Sequence, residues 1–167
     1  MYAHAFAAIL ALPFVAQFVS AQSCTRNYTV QAGDICDSIS AAQNVSTYQL
    51  AVVNNIDVDS QCDNLNPGEN LCLGWSGDDC TSTYVVQAND DCDIITSMAN
   101  INDTILYMNN PQINSDCTNI YIGEVLCTAG TVLVPPAPSG TVPGSAIPPS
   151  ATAANDLPYC DEIDDSN

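Results

Sequence analysis

Apolar and polar positions follow one another along this chain in an order that is written twice. Tyr28-Thr-Val-Gln31 is a short β-branched and aromatic run that predicts a strand. After it, Ile35, Ile39 and Ala42 fall on one helical stripe, with Asp34 as the expected N-cap and Asp37 in the first turn, where the helix dipole favours an acid. Asn44-Val-Ser46 interrupts that stripe, and Ser46-Thr-Tyr-Gln49 is a capping-box pattern opening a second helix with Leu50 and Val53 inward. A loop from residue 54 to about residue 65 leads to the turn Asn66-Pro-Gly68 and the closing strand Asn70-Leu-Cys-Leu73.

The same order returns from Tyr84. Tyr84-Val-Val-Gln is the strand, Asp90 and Asp93 repeat the cap and the first-turn acid, and Asn102-Asp103 caps the next helix with Ile105 and Met108 inward. Val53-Asn-Asn55 is set against Met108-Asn-Asn110, and Gly68-Glu-Asn-Leu-Cys72 against Gly123-Glu-Val-Leu-Cys127. Cysteines stand at 24, 36, 62 and 72 and again at 80, 92, 117 and 127, so the two frameworks agree to within one residue. Such a period is a duplication of one small folding unit. With a strand at each end and two helices between, the unit is βααβ, its strands pairing antiparallel under both helices. The fold class is therefore α+β: two small disulfide-stabilised βααβ modules in tandem, 24–73 and 80–128, joined by a linker over 74–79.

The remaining segments differ in composition. Residues 5–19 are an apolar run followed by Val19-Ser20-Ala21, the pattern of a cleaved secretory signal over 1–21. Residues 129–167 are rich in Pro, Ser, Thr, Ala and Gly and end in acids, so a disordered tail is expected, with no lipid anchor. Within the linker, Trp75 is the single tryptophan, and packing between modules is its expected role ahead of stacking on a sugar.

Secretion gives the cysteines a purpose. Eight of the nine fall in the two matched sets and read as disulfide cysteines: Cys24, Cys36, Cys62, Cys72, Cys80, Cys92, Cys117 and Cys127. A unit of about 50 residues cannot bury enough surface to offset chain entropy comfortably, so two bridges per unit are expected, with all three pairings open. Cys160 is the odd thiol: free, paired within the tail's reach, or bridging two chains. There is no CxxC pair and the only histidine, His4, leaves with the signal, so neither a metal nor a cofactor is expected.

The formal charge is −18 with one basic residue, Arg26. Such a chain is repelled by phosphate backbones and anionic lipid, which excludes nucleic acid and membrane surfaces as partners. Its ligand is neutral or cationic. Asn27-Tyr-Thr29, Asn44-Val-Ser46 and Asn102-Asp-Thr104 are N-glycosylation sequons, which places candidate glycans on Asn27, Asn44 and Asn102.

The string Tyr-Thr-Val-Gln-Ala-Gly-Asp-x-Cys, the helical pair, the Asn-Asn and the final Pro-Gly-Glu-x-Leu-Cys resemble the LysM module, in the four-cysteine form of secreted fungal LysM proteins. The resemblance implies binding of N-acetylglucosamine polymers: chitin, its oligomers or peptidoglycan-type glycans. It also implies a shallow groove between the loop after the first strand and the loop after the second helix. Carried over, the first loop is Gly33, Asp34 and Ile35 in one module and Asn89, Asp90 and Asp91 in the other. The second loop is Asn54, Asn55, Ile56 and Asp57, then Asn109, Asn110, Pro111, Gln112 and Ile113. Asn89 stands where the family prefers Gly, and Asn tolerates the positive φ that such a turn requires.

The resemblance implies a secreted, extracellular, non-catalytic effector that sequesters chitin fragments from host immunity or shields the fungal wall from chitinases, with two sites gaining by effective concentration. A ligand-mediated or Cys160-linked dimer follows from the same reading, and a structural cell-wall protein is the alternative. An enzyme is not expected: a glycosidase needs two carboxylates across a water-excluding cleft, for which a unit of about 50 residues has little room.

Overall fold

The computed structural model describes residues 22–54, 65–137 and 142–155. In chain order these hold β1 (Cys24–Thr29), α1 (Cys36–Gln43), α2 (Thr47–Asn54) and β2 (Asn70–Trp75), then β3 (Thr83–Val85), α3 (Cys92–Ala99), α4 (Asp103–Asn109) and β4 (Val125–Cys127). Antiparallel β1–β2 pairing sets Tyr28 against Leu71 and Thr29 against Asn70, while β3–β4 sets Tyr84 against Leu126 and Val85 against Val125. Both units are βααβ. The Cys24–Cys72 bridge staples β1 to β2, Cys80–Cys127 ties the segment before β3 to β4, and Cys92–Cys117 ties the start of α3 to the segment before β4. Closing such loops in the unfolded chain is worth about 3 kcal/mol per bridge. Cys36 is also disulfide-bonded, and Cys62 lies outside the described residues, as do Cys160 and the proposed signal segment.

Helix starts differ from expectation at two positions. α1 begins after Ile35, whose N–H donates to Ser38 Oγ at 3.1 Å, and α3 begins after Asp91, whose carboxylate accepts from Ile94 N at 2.7 Å. Asp34 and Asp90 are therefore not the caps. Each turns back to accept from the backbone N–H three residues earlier, Gln31 or Gln87, which closes the turn before the helix. The second helices start as the pattern predicts: Gln49 N donates to Ser46 Oγ and Ile105 N to Asn102 Oδ1.

Each module has its own core. Val30, Ile39, Val45, Leu50, Leu71 and Leu73 fill the first, and Val86, Ile95, Leu106, Ile113, Ile120 and Leu126 the second. Burying each such side chain is worth about 2 kcal/mol before entropy is subtracted. Leu50 is inward as expected, whereas Val53 and Ile105 are only half-buried and Met108 is 55% exposed. The error is one of register. Asn54 donates to Leu50 O and Cys72 O and accepts from Cys72 N; Asn110 donates to Leu106 O and Cys127 O and accepts from Cys127 N. Asn54 thus corresponds to Asn110, not Asn109, and Leu50 to Leu106. The residue that the second copy lacks is missing after the second helix.

A third cluster joins the modules. Tyr48 on α2 is buried with Cys80, Cys127, Ala129 and Val134, against which Val52, Leu133 and Val142 pack. The linker reinforces this contact: Asp79 accepts from Arg26 Nε and Nη2, Thr25 Oγ1 and Gln49 Nε2, at 2.6–3.0 Å. Partial burial pushes the Asp79 carboxyl up, but the hydrogen bonds from Arg26 and Thr25 and the Arg26 charge outweigh it and hold it below the usual carboxylate range. Gly74 leaves room for that carboxylate, since a Cβ there would run into it. Trp75 is half-buried and closes the linker turn through backbone bonds with Asp78.

The described parts of the tail form no helix or strand, in keeping with their composition, yet they do not run away from the modules. Asn109 donates to Ala129 O and Thr131 O and accepts from Leu133 N, and Tyr48 OH donates to Pro135 O at 3.0 Å. A buried tyrosine and a buried amide supply the partners that this Pro-rich backbone cannot supply for itself.

Candidate functional site

The first loop of each module is built the same way. The chain turns at Gly33, φ +91°, or at Asn89, φ +66°, so the asparagine does take the left-handed conformation. Just after the turn, Asp34 accepts from Tyr28 OH and Gln31 N, and Asp90 from Tyr84 OH and Gln87 N, all between 2.6 and 2.8 Å. Burial, then the Asp90 hydrogen bond and charge, push the Tyr84 phenol up to about 12. The hydrogen bond to Asp34 is the main reason the Tyr28 phenol is also raised. Both phenols therefore remain donors at neutral pH, and both carboxylates are committed inward. Exposed at this loop are Gly33 and Ile35, the latter by 53%, in the first module and Asn89 and Asp91, the latter committed as a cap, in the second. Neither tyrosine was singled out in the sequence, although each stands six residues before its aspartate in both copies.

The second loops are mostly scaffold. Asn54, Asn109 and Asn110 spend their amides on backbone groups, as described above, and Ile113 is buried in the second core. Pro111 is half-buried. Gln112 is buried; its Nε2 donates to Glu124 Oε1 at 3.0 Å and its carbonyl accepts from Asn119 Nδ2. Asn55, Ile56 and Asp57 lie outside the described residues. The side chains of the second loop are thus largely spent on the fold, whereas Asn89 in the first loop is exposed. Asn27, Asn44 and Asn102 are all exposed, and Asn102 uses only its oxygen as a cap.

One cluster between the modules was not expected at all. Asp37 accepts from Thr47 Oγ1 at 2.9 Å and from Tyr121 OH at 3.2 Å, and Thr47 Oγ1 accepts from Val125 N at 3.0 Å. Glu124, 2% exposed, accepts from Gln112 and from Tyr121 N. Burial pushes its carboxyl up to about 8, against the pull of those hydrogen bonds. Burial also raises Asp37, and burial with the Asp37 and Glu124 charges raises Tyr121. Two acids whose carboxyls burial raises, a phenol and a hydroxyl hold α1 and α2 against the start of β4. Among the described residues, no group of three or more His, Cys, Asp or Glu could hold a metal ion, and no helix is long and apolar enough to cross a membrane.

The sequence matches the family model of the LysM domain over residues 28–74 and again over residues 84–128. It is similar to a secreted LysM effector of Pochonia chlamydosporia, 34% identical over 114 residues covering 67% of this chain and 16% of that protein. It is also similar to a non-secreted LysM effector of Gibberella moniliformis, 35% identical over 107 residues covering 63% of this chain and 14% of that protein. The chain therefore spans a small part of the length of these curated relatives. A fainter likeness is to the spore cortex-lytic enzyme SleL of Bacillus megaterium, with a TM-score of 0.31 and 19% identity over 68% of this chain and 23% of that one.

Proposed function

The chain belongs to the LysM-domain family, and we propose that it is a secreted, non-catalytic binder of chitin and N-acetylglucosamine oligomers. Its role on this reading is to sequester chitin fragments from host immune receptors or to shield the fungal wall from chitinases, since both begin with one binding event. LysM domains in general bind glycans of this kind, which is the coarser ground for the proposal. The observation that carries it is the turn at Gly33 and Asn89. In each module a positive-φ residue precedes an aspartate whose carboxylate is spent on its own turn, and in the first module an exposed isoleucine follows it. A neutral sugar bearing an acetamide needs donors, acceptors and a small apolar wall, and asks for no cation. The −18 charge of the chain is then no obstacle.

The contacts are assigned to the backbone of residues 33–35 and 89–91 and of the loops after α2 and α4, with Ile35 as the apolar wall. Asn54 and Asn110 shape the second loops without touching ligand. Residues 1–21 are proposed as the cleaved signal, and the exposed Asn27, Asn44 and Asn102 as glycan carriers. Isothermal titration of the deglycosylated protein with chitin hexamer, against peptidoglycan fragments and cellohexaose, tests the reading. Heat of binding with chitin hexamer and not with cellohexaose is expected; silence with every glycan overturns it.

A further inference from the structure

Residues 142–155 meet both walls of the second module's groove. The N–H of Asn89, in the first loop, donates to Ala154 O at 2.7 Å, and Ala154 N donates to Ile120 O at 3.1 Å. Ile122 N donates to Thr152 O at 2.9 Å, and Tyr121 and Ala153 form an antiparallel bridge, so the tail runs beside 120–122 as a short extra edge. Ala154 itself is wholly buried within the cluster that contains Val86, Ile95 and Ile113. At the other wall Gly144 lies over the Gln112 side chain, and the Asn119 amide donates both to Gln112 O and to Ser145 O, joining second loop and tail.

Among the described residues, nothing comparable meets the first loop of the first module. Gly33, at the position of Asn89, has nothing within 4 Å of where a Cβ would stand. Leu65, at the position of Ile120, is only half-buried where Ile120 is closed off. The occupant's chemistry is also telling. A methyl, an N–H and a carbonyl, all from Ala154, are the three groups that an acetamide offers, and here they are buried or bonded in the groove.

We propose that residues 142–155 are a built-in competitor for the second module's glycan site, so that in the free chain the second site is self-closed. This rests on the glycan reading above. Tail release, by proteolysis or by a ligand that outbids it, would convert a one-site binder into a two-site binder, with the gain in avidity that linked sites bring.

The test inserts a protease recognition sequence after Ala137 in the full chain, so that the tail is cut only after folding. Intact and cut forms are titrated with chitin hexamer, and exchange of the Asn89 amide reports whether the tail has left. Expected is a stoichiometry of one site per intact chain and two per cut chain, with Asn89 exchange at least about tenfold faster after cutting. A synthetic peptide of residues 142–155, added back, is expected to slow that exchange again and to remove the second site. A full-chain Ala154→Arg variant, whose side chain cannot enter the buried position, should behave as the cut form does. Equal stoichiometry and affinity in both forms, with Asn89 released, would overturn the proposal and leave the glycan reading standing. No binding by either form would sink both. Loss of the second module's fold on cutting, shown by reducible Cys92–Cys117 and no rescue by peptide, would make the tail a structural part and equally overturn it.

Discussion

The two modules share a fold, a disulfide framework and the same first-loop turn, and yet their second helices meet opposite fates. On α2, Thr47, Tyr48 and Gln49 are all buried; their counterparts on α4, Asp103, Thr104 and Ile105, are exposed, exposed and half-buried. The first module's helix is covered because β4, the linker and the tail segment 129–135 pack on it, whereas the start of α4 stays exposed. Glu69 and Glu124 show the same divergence. Each accepts from a backbone N–H three residues earlier, Asn66 or Tyr121, but only Glu124 is buried. Duplication copies the internal wiring of a unit; the environment of its surface is set by whichever neighbour comes to rest there.

That contrast can be broken most forcefully at Tyr48. Tyr48→Ala removes a buried ring and its bond to Pro135 O, for an expected loss of about 3–5 kcal/mol in denaturant unfolding, while Thr104→Ala at the matching position should change stability by less than about 0.5 kcal/mol. Similar costs at both sites would mean that the modules do not pack through α2. Next come the paired amides. Asn54→Ala and Asn110→Ala each orphan three backbone partners and should cost about 2–3 kcal/mol apiece, with a near-equal pair of values marking them as equivalents. Should either variant lose chitin binding at unchanged stability, its side chain would be a ligand contact and not scaffold.

The pH profile sharpens the comparison further. Burial keeps the proton on Glu124 up to about pH 8, whereas the unfolded chain releases it near the ordinary carboxylate value. The folded state then binds more protons between those two values, so stability present in acid is lost as pH rises through about 8. Asp37, also raised by burial, adds in the same direction. Asp79, held low, acts oppositely, and its contribution is lost only on strong acidification. Melting temperature is expected to fall by about 5 °C or more between pH 5 and pH 8. Glu124→Gln should flatten that slope and Glu69→Gln leave it unchanged; a slope that survives Glu124→Gln would place the titrating group elsewhere. The smallest effect belongs to the turns. Asn89→Gly relieves a left-handed side chain and Gly33→Ala introduces one, so changes of about 0.5–1 kcal/mol of opposite sign are expected in thermal melts.

Much of the fold was readable before any coordinate. The β-branched runs, the Ser46 and Asn102 caps and the turn at Gly68 are local signals, and each places its element to within a few residues because it acts over that range. β1, however, starts at Cys24 and ends at Thr29, ahead of the run expected at 28–31. Asp34 and Asp90 misled because an aspartate before a helix can satisfy either the helix or the turn that precedes it, and the Tyr28 and Tyr84 hydroxyls favour the turn. Met108 misled because Asn-Asn pairs align equally well one residue apart; only the bonds to Cys72 and Cys127 choose the register.

The same division holds for the site. Repetition, cysteine spacing and the positive-φ turn are written into consecutive residues, so the sequence by itself determined two βααβ modules and where their first loops lie. Which carboxylates are buried and where residues 142–155 come to rest depend on partners dozens of residues away: Asp37 with Tyr121, Tyr48 with Pro135, Asn89 with Ala154. Only the tertiary structure decided these. Burial and the pairing of buried polar groups are properties of two surfaces meeting, and neither surface alone records the other.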